Sequence, residues 1–351
     1  MLLNLLKIFI PTALAFVLGI LFTPVATHFF YKYKMWKKKN RSEEFTTEEF
    51  KLVHKQKEQT EISVPCVGGI IVWLSVLTSI FIFYISSLIF PDFFFRELSF
   101  LSRSQTVIPI MIFILGALLG LIDDVLEIIG KSNITRHSVL YTIVKVSSVI
   151  FLGLLAGSWF FYKLDMHTVS IPFGGVIDLG ILFIPFVILV MLATFSSGVI
   201  DGIDGLSGGV LASIFGAYSL IAFTNNQMDL AAFSGVIAGA ILAFLWFNIP
   251  PARFYMGETG MMPLTVVLAT LAFLTDTVLL LPVIALPLVI TSLSSILQIT
   301  SKKLFNKKIF RVAPIHHHFE SLGWPSYKVT MRYWIFAIMF AIIGVILTVI
   351  S

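Results

Sequence analysis

VIPIMIFILGALLGLIDDVLEI, residues 107–128, runs from Val107 to Ile122 without a charge and then sets Asp123 and Asp124 side by side. An uncharged apolar run of this kind reads as a helix crossing ~30 Å of hydrocarbon, which takes about 20 residues. The aspartates mark where it leaves the hydrocarbon, because a carboxylate at membrane depth is costly. The pattern recurs along the chain, with spans expected at 8–30, 66–90, 107–122, 139–162, 179–195, 206–223, 230–247, 262–274, 278–299 and 333–350. The first is read as a retained helix, since its apolar run exceeds the about 7–15 residues of a signal peptide's core. The ninth contains Pro282 and Pro287 and is expected to bend. The fold class is therefore an all-α polytopic membrane protein of about ten transmembrane helices, with residues 1–351 forming one integral-membrane domain in the lipid bilayer.

Composition agrees. Of 351 residues, 58% are hydrophobic and 12% charged, whereas a soluble domain carries about 25% charged residues. The single cysteine, Cys66, excludes a disulfide framework and a multi-cysteine metal site. A net charge of +5 is small for nucleic-acid binding, and no nucleic-acid partner is expected. The charges that exist are unevenly placed. Nine of the 24 lysines and arginines lie between Tyr31 and Glu61, and seven more between Lys302 and Arg332. Ten spans put both segments on one side, which the positive-inside rule makes cytoplasmic, with both termini outside. The same parity brings Asp123, Asp124, Glu127, Asp201, Asp204, Glu258 and Glu320 to that face, together with His316, His317 and His318.

Each of these loops admits a plain reading beside a chemical one. Adjacent Asp123 and Asp124 raise each other's proton affinity unless a cation or proton intervenes; alone they could be a polar helix end. Glu127 adds a third negative charge on the same face if the helix continues. FSSGVIDGIDGLSGG, residues 195–209, offers two closely spaced carboxylates, each followed by a glycine that lets backbone approach a substrate, or else a turn between helices. It is neither a Walker A loop nor a dinucleotide fingerprint. NIPPARFYMGETG, residues 248–260, is a stiff irregular loop with Glu258 at its tip. In RVAPIHHHFE, residues 311–320, successive imidazoles would spread over about 200° of a helix, so one metal cannot take all three from one face. Phosphate oxygens or a carboxylate are the more plausible partners. Oxygen ligands without thiolates favour Mg2+, which binds through few carboxylates plus substrate phosphates, and this points to phosphoryl transfer.

In this order the motifs resemble the polyprenyl-phosphate N-acetylhexosamine-1-phosphate transferases. The resemblance runs from PCVGGI (65–70) through LIDDVLE, DGIDGL, FNIPPARFYMGETG and APIHHHFE to the last span. PIHHHFE is similar to the phospho-N-acetylmuramoyl-pentapeptide branch, whereas the branch using other amino sugars carries a shorter histidine pattern. The resemblance implies transfer of phospho-MurNAc-pentapeptide from a UDP-linked amino sugar to undecaprenyl phosphate, giving lipid I and UMP in peptidoglycan synthesis, with Mg2+ as cofactor and a homodimer as the assembly. It also implies roles: Asp123 orients or deprotonates the lipid phosphate and Asp124 supports it near the metal. Asp201 and Asp204 line the nucleotide-sugar pocket with Gly202, while His316, His317 and His318 are catalytic. Asn248, Tyr255 and Glu320 bind substrate, Tyr255 by stacking on uracil, and Glu258 holds the metal with Asp124. Several positions depart from the family pattern: Glu127 and Glu61 replace lysines, Gly198 an asparagine, Glu258 an aspartate and Met261 a serine. A sister transferase using another UDP-N-acetylhexosamine is the alternative these departures suggest; an inactive scaffold is a further one. A transporter is disfavoured, because the acids gather at one surface and no internal repeat is visible.

Overall fold

The computed structural model describes residues 2–36, 64–90, 92–129 and 139–351. Most of the first basic loop, including Glu61, lies outside the described residues. The helices are α1 (Leu2–Lys32), α2 (Gly69–Ile89), α3 (Phe93–Leu98), α4 (Val107–Ile129), α5 (Val139–Lys163), α6 (Phe183–Ser196), α7 (Leu206–Thr224), α8 (Met228–Asn248), α9 (Gly257–Leu274), α10 (Leu281–Ile284), α11 (Leu286–Phe305), α12 (Ile315–Ser321) and α13 (Ser326–Ile350). The antiparallel pair β1 (Thr168–Ser170) and β2 (Val176–Asp178) forms a short hairpin in register Thr168 to Asp178. The protein is an all-α polytopic membrane protein. Among the described residues nine helices are long and apolar enough to cross a membrane.

The expected span at 278–299 differs. Pro282 and Pro287 each sit in the first turn of a helix, α10 and α11, and the chain breaks at Ala285 between them. Proline suits a first turn because the amide it lacks would have no partner there. The polar residues of α11 have work of their own. Gln298 accepts hydrogen bonds from the amides of Ile309 and Phe310, each at 3.0 Å, and donates to the Phe310 carbonyl. Ser294 accepts from the Ile315 amide at 2.9 Å. Thus α11 is the post on which the histidine segment hangs, and its polarity is the cost of that role.

α7, α8 and α9 form the centre of the bundle, with α1 and α2 against α8, α4 against α9 and α13 against α7. In α8 and α9, 83% of the apolar span is buried, against 17% in α13, which places α13 on the rim. Outer helices expose Phe9, Leu21, Phe81, Leu118, Phe151 and Ile335, side chains that only a hydrocarbon surrounding accommodates in such number. One end of the bundle holds the Lys7–Asp229 ion pair, the hairpin bonded through Ser170 to Asp276, and Ser351, whose hydroxyl accepts from the Phe173 amide. Both termini share that end. The opposite end carries the close of α1, α4 and α11 and the start of α2, α7, α9 and α12, and there the motifs meet.

Candidate active site

The start of α9 is the hub. The helix has no side-chain cap of its own from Met256, and carboxylates from two other segments serve instead. Asp124 Oδ2, from the end of α4, accepts from the Thr259 amide at 2.8 Å and from Thr259 Oγ1 at 2.7 Å. Asp201 Oδ2 accepts from the Gly257 amide at 3.3 Å, while its Oδ1 takes the Ser207 hydroxyl at 2.7 Å. Unsatisfied first-turn amides and the positive end of the helix dipole favour carboxylates at this place. Gly257 makes the geometry reachable. Its φ is +67°, and a Cβ there would lie 1.9 Å from the Cys66 carbonyl and 2.5 Å from Asp124 Oδ2. PCVGGI closes the other side through backbone bonds of Gly68 to Tyr255 and Gly69 to Met256, with the Tyr255 amide donating to Pro65. Tyr255 is thereby fixed through its backbone, half-buried beside the hub.

Asp123 points to a different partner. Helix α4 continues to Ile129, so Glu127 lies one turn beyond the aspartates on the same helix. From α5, the Lys145 ammonium reaches Asp123 Oδ2 at 3.1 Å and Glu258 Oε1 at 2.6 Å, with the lysine side chain 15% exposed. It also lies 5.3 Å from the centre of the Tyr141 ring. Sequence reasoning missed Lys145. The available signal was a lone lysine inside an apolar span, since an ionisable residue at membrane depth marks a functional site by default.

The DGIDG turn joins the hub to the histidines. A Cβ on Gly202 would stand 2.6 Å from His316 Nε2 and 2.9 Å from His317 Nε2, so only glycine lets these rings close on the turn. His317 Nδ1 lies 2.7 Å from Glu320 Oε2. A carboxylate only accepts, so Nδ1 donates and Nε2 is aimed at Gly202. Glu320 also takes the Ser326 hydroxyl and is buried behind the ring. His318 is turned away: its Nδ1 accepts from the Arg311 amide, and its ring meets Phe310 edge-on. Of the three histidines, His316 and His317 therefore face the DGIDG turn, and His318 faces Arg311 and Phe310.

The turn itself is pinned from behind. Asn248, buried, accepts from the Gly205 amide at 2.9 Å and donates to the Phe254 carbonyl at 2.8 Å, tying the turn to the proline loop. Asp204 Oδ2 accepts from the Ala252 amide, and its carbonyl from Thr330 Oγ1. Trp334 Nε1 donates to the Gly205 carbonyl at 2.9 Å. Asn248 and Asp204 thus brace the turn, while Asp201 and Gly202 face the hub and the histidines. The departures at Gly198 and Met261 are neighbours: a Cβ on Gly198 would lie 3.9 Å from Met261 Cβ.

The expected metal ligands do not fit a shared ion as they are arranged. Asp124 Oδ2 is engaged by α9, and the place between Asp123 and Glu258 is taken by the Lys145 ammonium. Among the described residues no three histidine, cysteine or acidic side chains form a group that could hold a metal.

The carboxylate loops and imidazoles of an apolar helical bundle meet at one end, and residues 105–276 match the glycosyl transferase family 4 profile, which makes the class that of a membrane-embedded transferase. A phospho-N-acetylmuramoyl-pentapeptide-transferase of Anoxybacillus flavithermus is 32% identical over 347 residues, 98% of each chain. Namesakes from Halalkalibacterium halodurans and Shouchella clausii are 32% identical over 96% of each chain, and 33% identical over 82% of this chain and 84% of the relative. The chain belongs to the phospho-N-acetylmuramoyl-pentapeptide transferase family, and is a multi-pass membrane phosphoglycosyl transferase.

Proposed function

We propose that the protein transfers phospho-MurNAc-pentapeptide from its UDP carrier to undecaprenyl phosphate, giving lipid I and UMP for peptidoglycan synthesis, on the cytoplasmic face of a bacterial cell membrane. The observation that carries this is the meeting of the α9 hub with the DGIDG turn and its histidines. Asp201 caps α9 beside Asp124 and Glu258, and the adjacent Gly202 lies under His316 and His317. A donor pyrophosphate and an acceptor phosphate both need to be held at one place, and this junction provides it.

In the reaction, an oxygen of the lipid phosphate bonds to the sugar-bearing phosphorus, and the bond from that phosphorus to UMP breaks. One pyrophosphate replaces another, so positioning and charge stabilisation carry the catalysis. Asp123, at the rim of the hub and held by Lys145, orients the lipid phosphate or takes its proton. The His317 imidazole, fixed by Glu320, presents Nε2 to the DGIDG turn, where its protonated form donates to a phosphate oxygen. Tyr255 lies on the loop closing the nucleotide side. Mg2+ follows from the family resemblance, but the Lys145 ammonium occupies the place between Asp123 and Glu258.

The test is UMP release by pure protein from UDP-MurNAc-pentapeptide and undecaprenyl phosphate, with a working relative as control. Release at rates within about 100-fold of the relative supports the reading; none, while the control works, sinks it. The nearness of Gly198 to Met261, two positions that depart from the family pattern together, favours one second reading, a sister enzyme with another sugar donor. A donor panel decides: turnover of UDP-GlcNAc without the muramoyl donor establishes the sister enzyme, and the reverse removes it.

A further inference from the structure

The structure assigns to Lys145 the place of a bridging cation: its ammonium neutralises Asp123 and Glu258 from within the chain, so this part of the site is assembled without a divalent ion, and any such ion must first displace the lysine. The assignment rests on the transferase reading only for the site's identity; its geometry stands independently.

The hub gathers Asp123, Asp124, Asp201 and Glu258, with Glu127 one turn away. Carboxylates so close repel unless positive charge intervenes. For Asp124 and Asp201 the first-turn amides of α9 supply it. Asp123 and Glu258 receive none of those bonds among the described residues, and Lys145 alone bridges them, at 3.1 and 2.6 Å. The glutamate is part of the fit. Its side chain is one methylene longer than aspartate, and it extends from the α9 start to a lysine on the neighbouring α5. An ammonium and a Mg2+ differ in what they need. The ion demands near-octahedral oxygen at ~2.0–2.1 Å, whereas ammonium bonds are satisfied near 2.8 Å. The Glu258 contact is a charge-assisted hydrogen bond at 2.6 Å, and Asp123 stands in ion-pair reach at 3.1 Å. A divalent ion entering between the same two oxygens would meet a fixed positive charge within 3.1 Å of each.

The experiment is Mn2+ binding to the purified full-length protein, followed by the electron paramagnetic resonance of free Mn2+ and by thermal unfolding with and without the ion. Lys145→Gln is expected to bind one Mn2+ about 10-fold or more tighter than the unaltered protein. Lys145→Gln/Glu258→Gln should lose that site, and Lys145→Arg should behave as the unaltered protein. Mn2+ should raise the unfolding temperature of Lys145→Gln and leave that of the unaltered protein unchanged, because a ligand stabilises only the state that binds it. Equal Mn2+ affinity with and without Lys145 overturns the assignment. Should Lys145→Gln fail to fold, the unaltered protein still decides. A Mn2+ site in it that Asp123→Asn abolishes overturns the assignment, and no such site upholds it. Because no substrate is present, failure here leaves the transferase reading standing, and failure of UMP release leaves the role of Lys145 standing.

Discussion

Gly202 shows how one missing methyl group joins two motifs. Its Cβ would fall 2.6 and 2.9 Å from the Nε2 atoms of His316 and His317, and both rings are buried. Gly202→Ala is expected to push the imidazoles off the turn by about 1 Å and cost about 100-fold in transfer rate. Its unfolding temperature should stay within a few degrees of the unaltered protein. Gly216→Ala, where a Cβ meets nothing within 4 Å, is the control and should leave both unchanged; UMP release and thermal unfolding read the outcomes. Much of this site was legible in the chain. The acids, the glycines and the histidine run are local signals, each announced by its own neighbours. The division of labour was not. That Asp124 caps α9 and that Asn248 reaches back to the Gly205 amide depend on partners far away in sequence, and the turn of His318 to Arg311 depends on how the loop between them folds. Lys145 is the strongest case: it meets Glu258 across 113 residues, and nothing near it in the chain names that partner.

Among the elements, α11 shows why one span is less apolar than the rest. As a span it is poor, broken from α10 and crossed by serines, threonines and a glutamine; as a scaffold it is well made. Gln298 satisfies three backbone groups of the loop that leads to the histidines. Gln298→Ala would leave the amides of Ile309 and Phe310 without that acceptor and is expected to destabilise the protein by about 1–3 kcal/mol. Because Ser294 also holds the start of α12, the loosened loop should lower the transfer rate as well. Gln298→Glu keeps the acceptor oxygens and should retain more of both. Chemical unfolding in detergent and the UMP assay measure the two effects. A helix that must bind a loop along one side cannot also be uniformly apolar, and this polarity comes on top of the break that the sequence announces at Pro282 and Pro287.

Across the whole molecule, the ends of the bundle fix how often the chain crosses it. Asp276 lies at the hairpin end, bonded to Ser170, while Gln298 and Ser301 lie at the site end, holding Phe310 and Lys307. Between them α11 alone is 20 residues long, about 30 Å of helix. The broken α10–α11 pair thus completes a tenth traverse beside the nine apolar helices, which agrees with both termini lying at the hairpin end. The proposed sidedness rests on charge. Lys302, Lys303, Lys307, Lys308 and Arg311 stand at the site end, and the positive-inside rule expects such a basic segment on the cytoplasmic side. Nucleotide-linked donors are expected there too. In a Cys66→Ser background, Val176→Cys on the exposed hairpin should react with a membrane-impermeant maleimide in right-side-out vesicles. Lys303→Cys, exposed at the close of α11, should react only after the membrane is opened. The reverse pattern would place the hub outside, away from any UDP-linked substrate, and would defeat the proposed reaction along with the orientation. Labelling of both sites in sealed vesicles would instead refute the tenth traverse, since α10 and α11 would then return to the side they left.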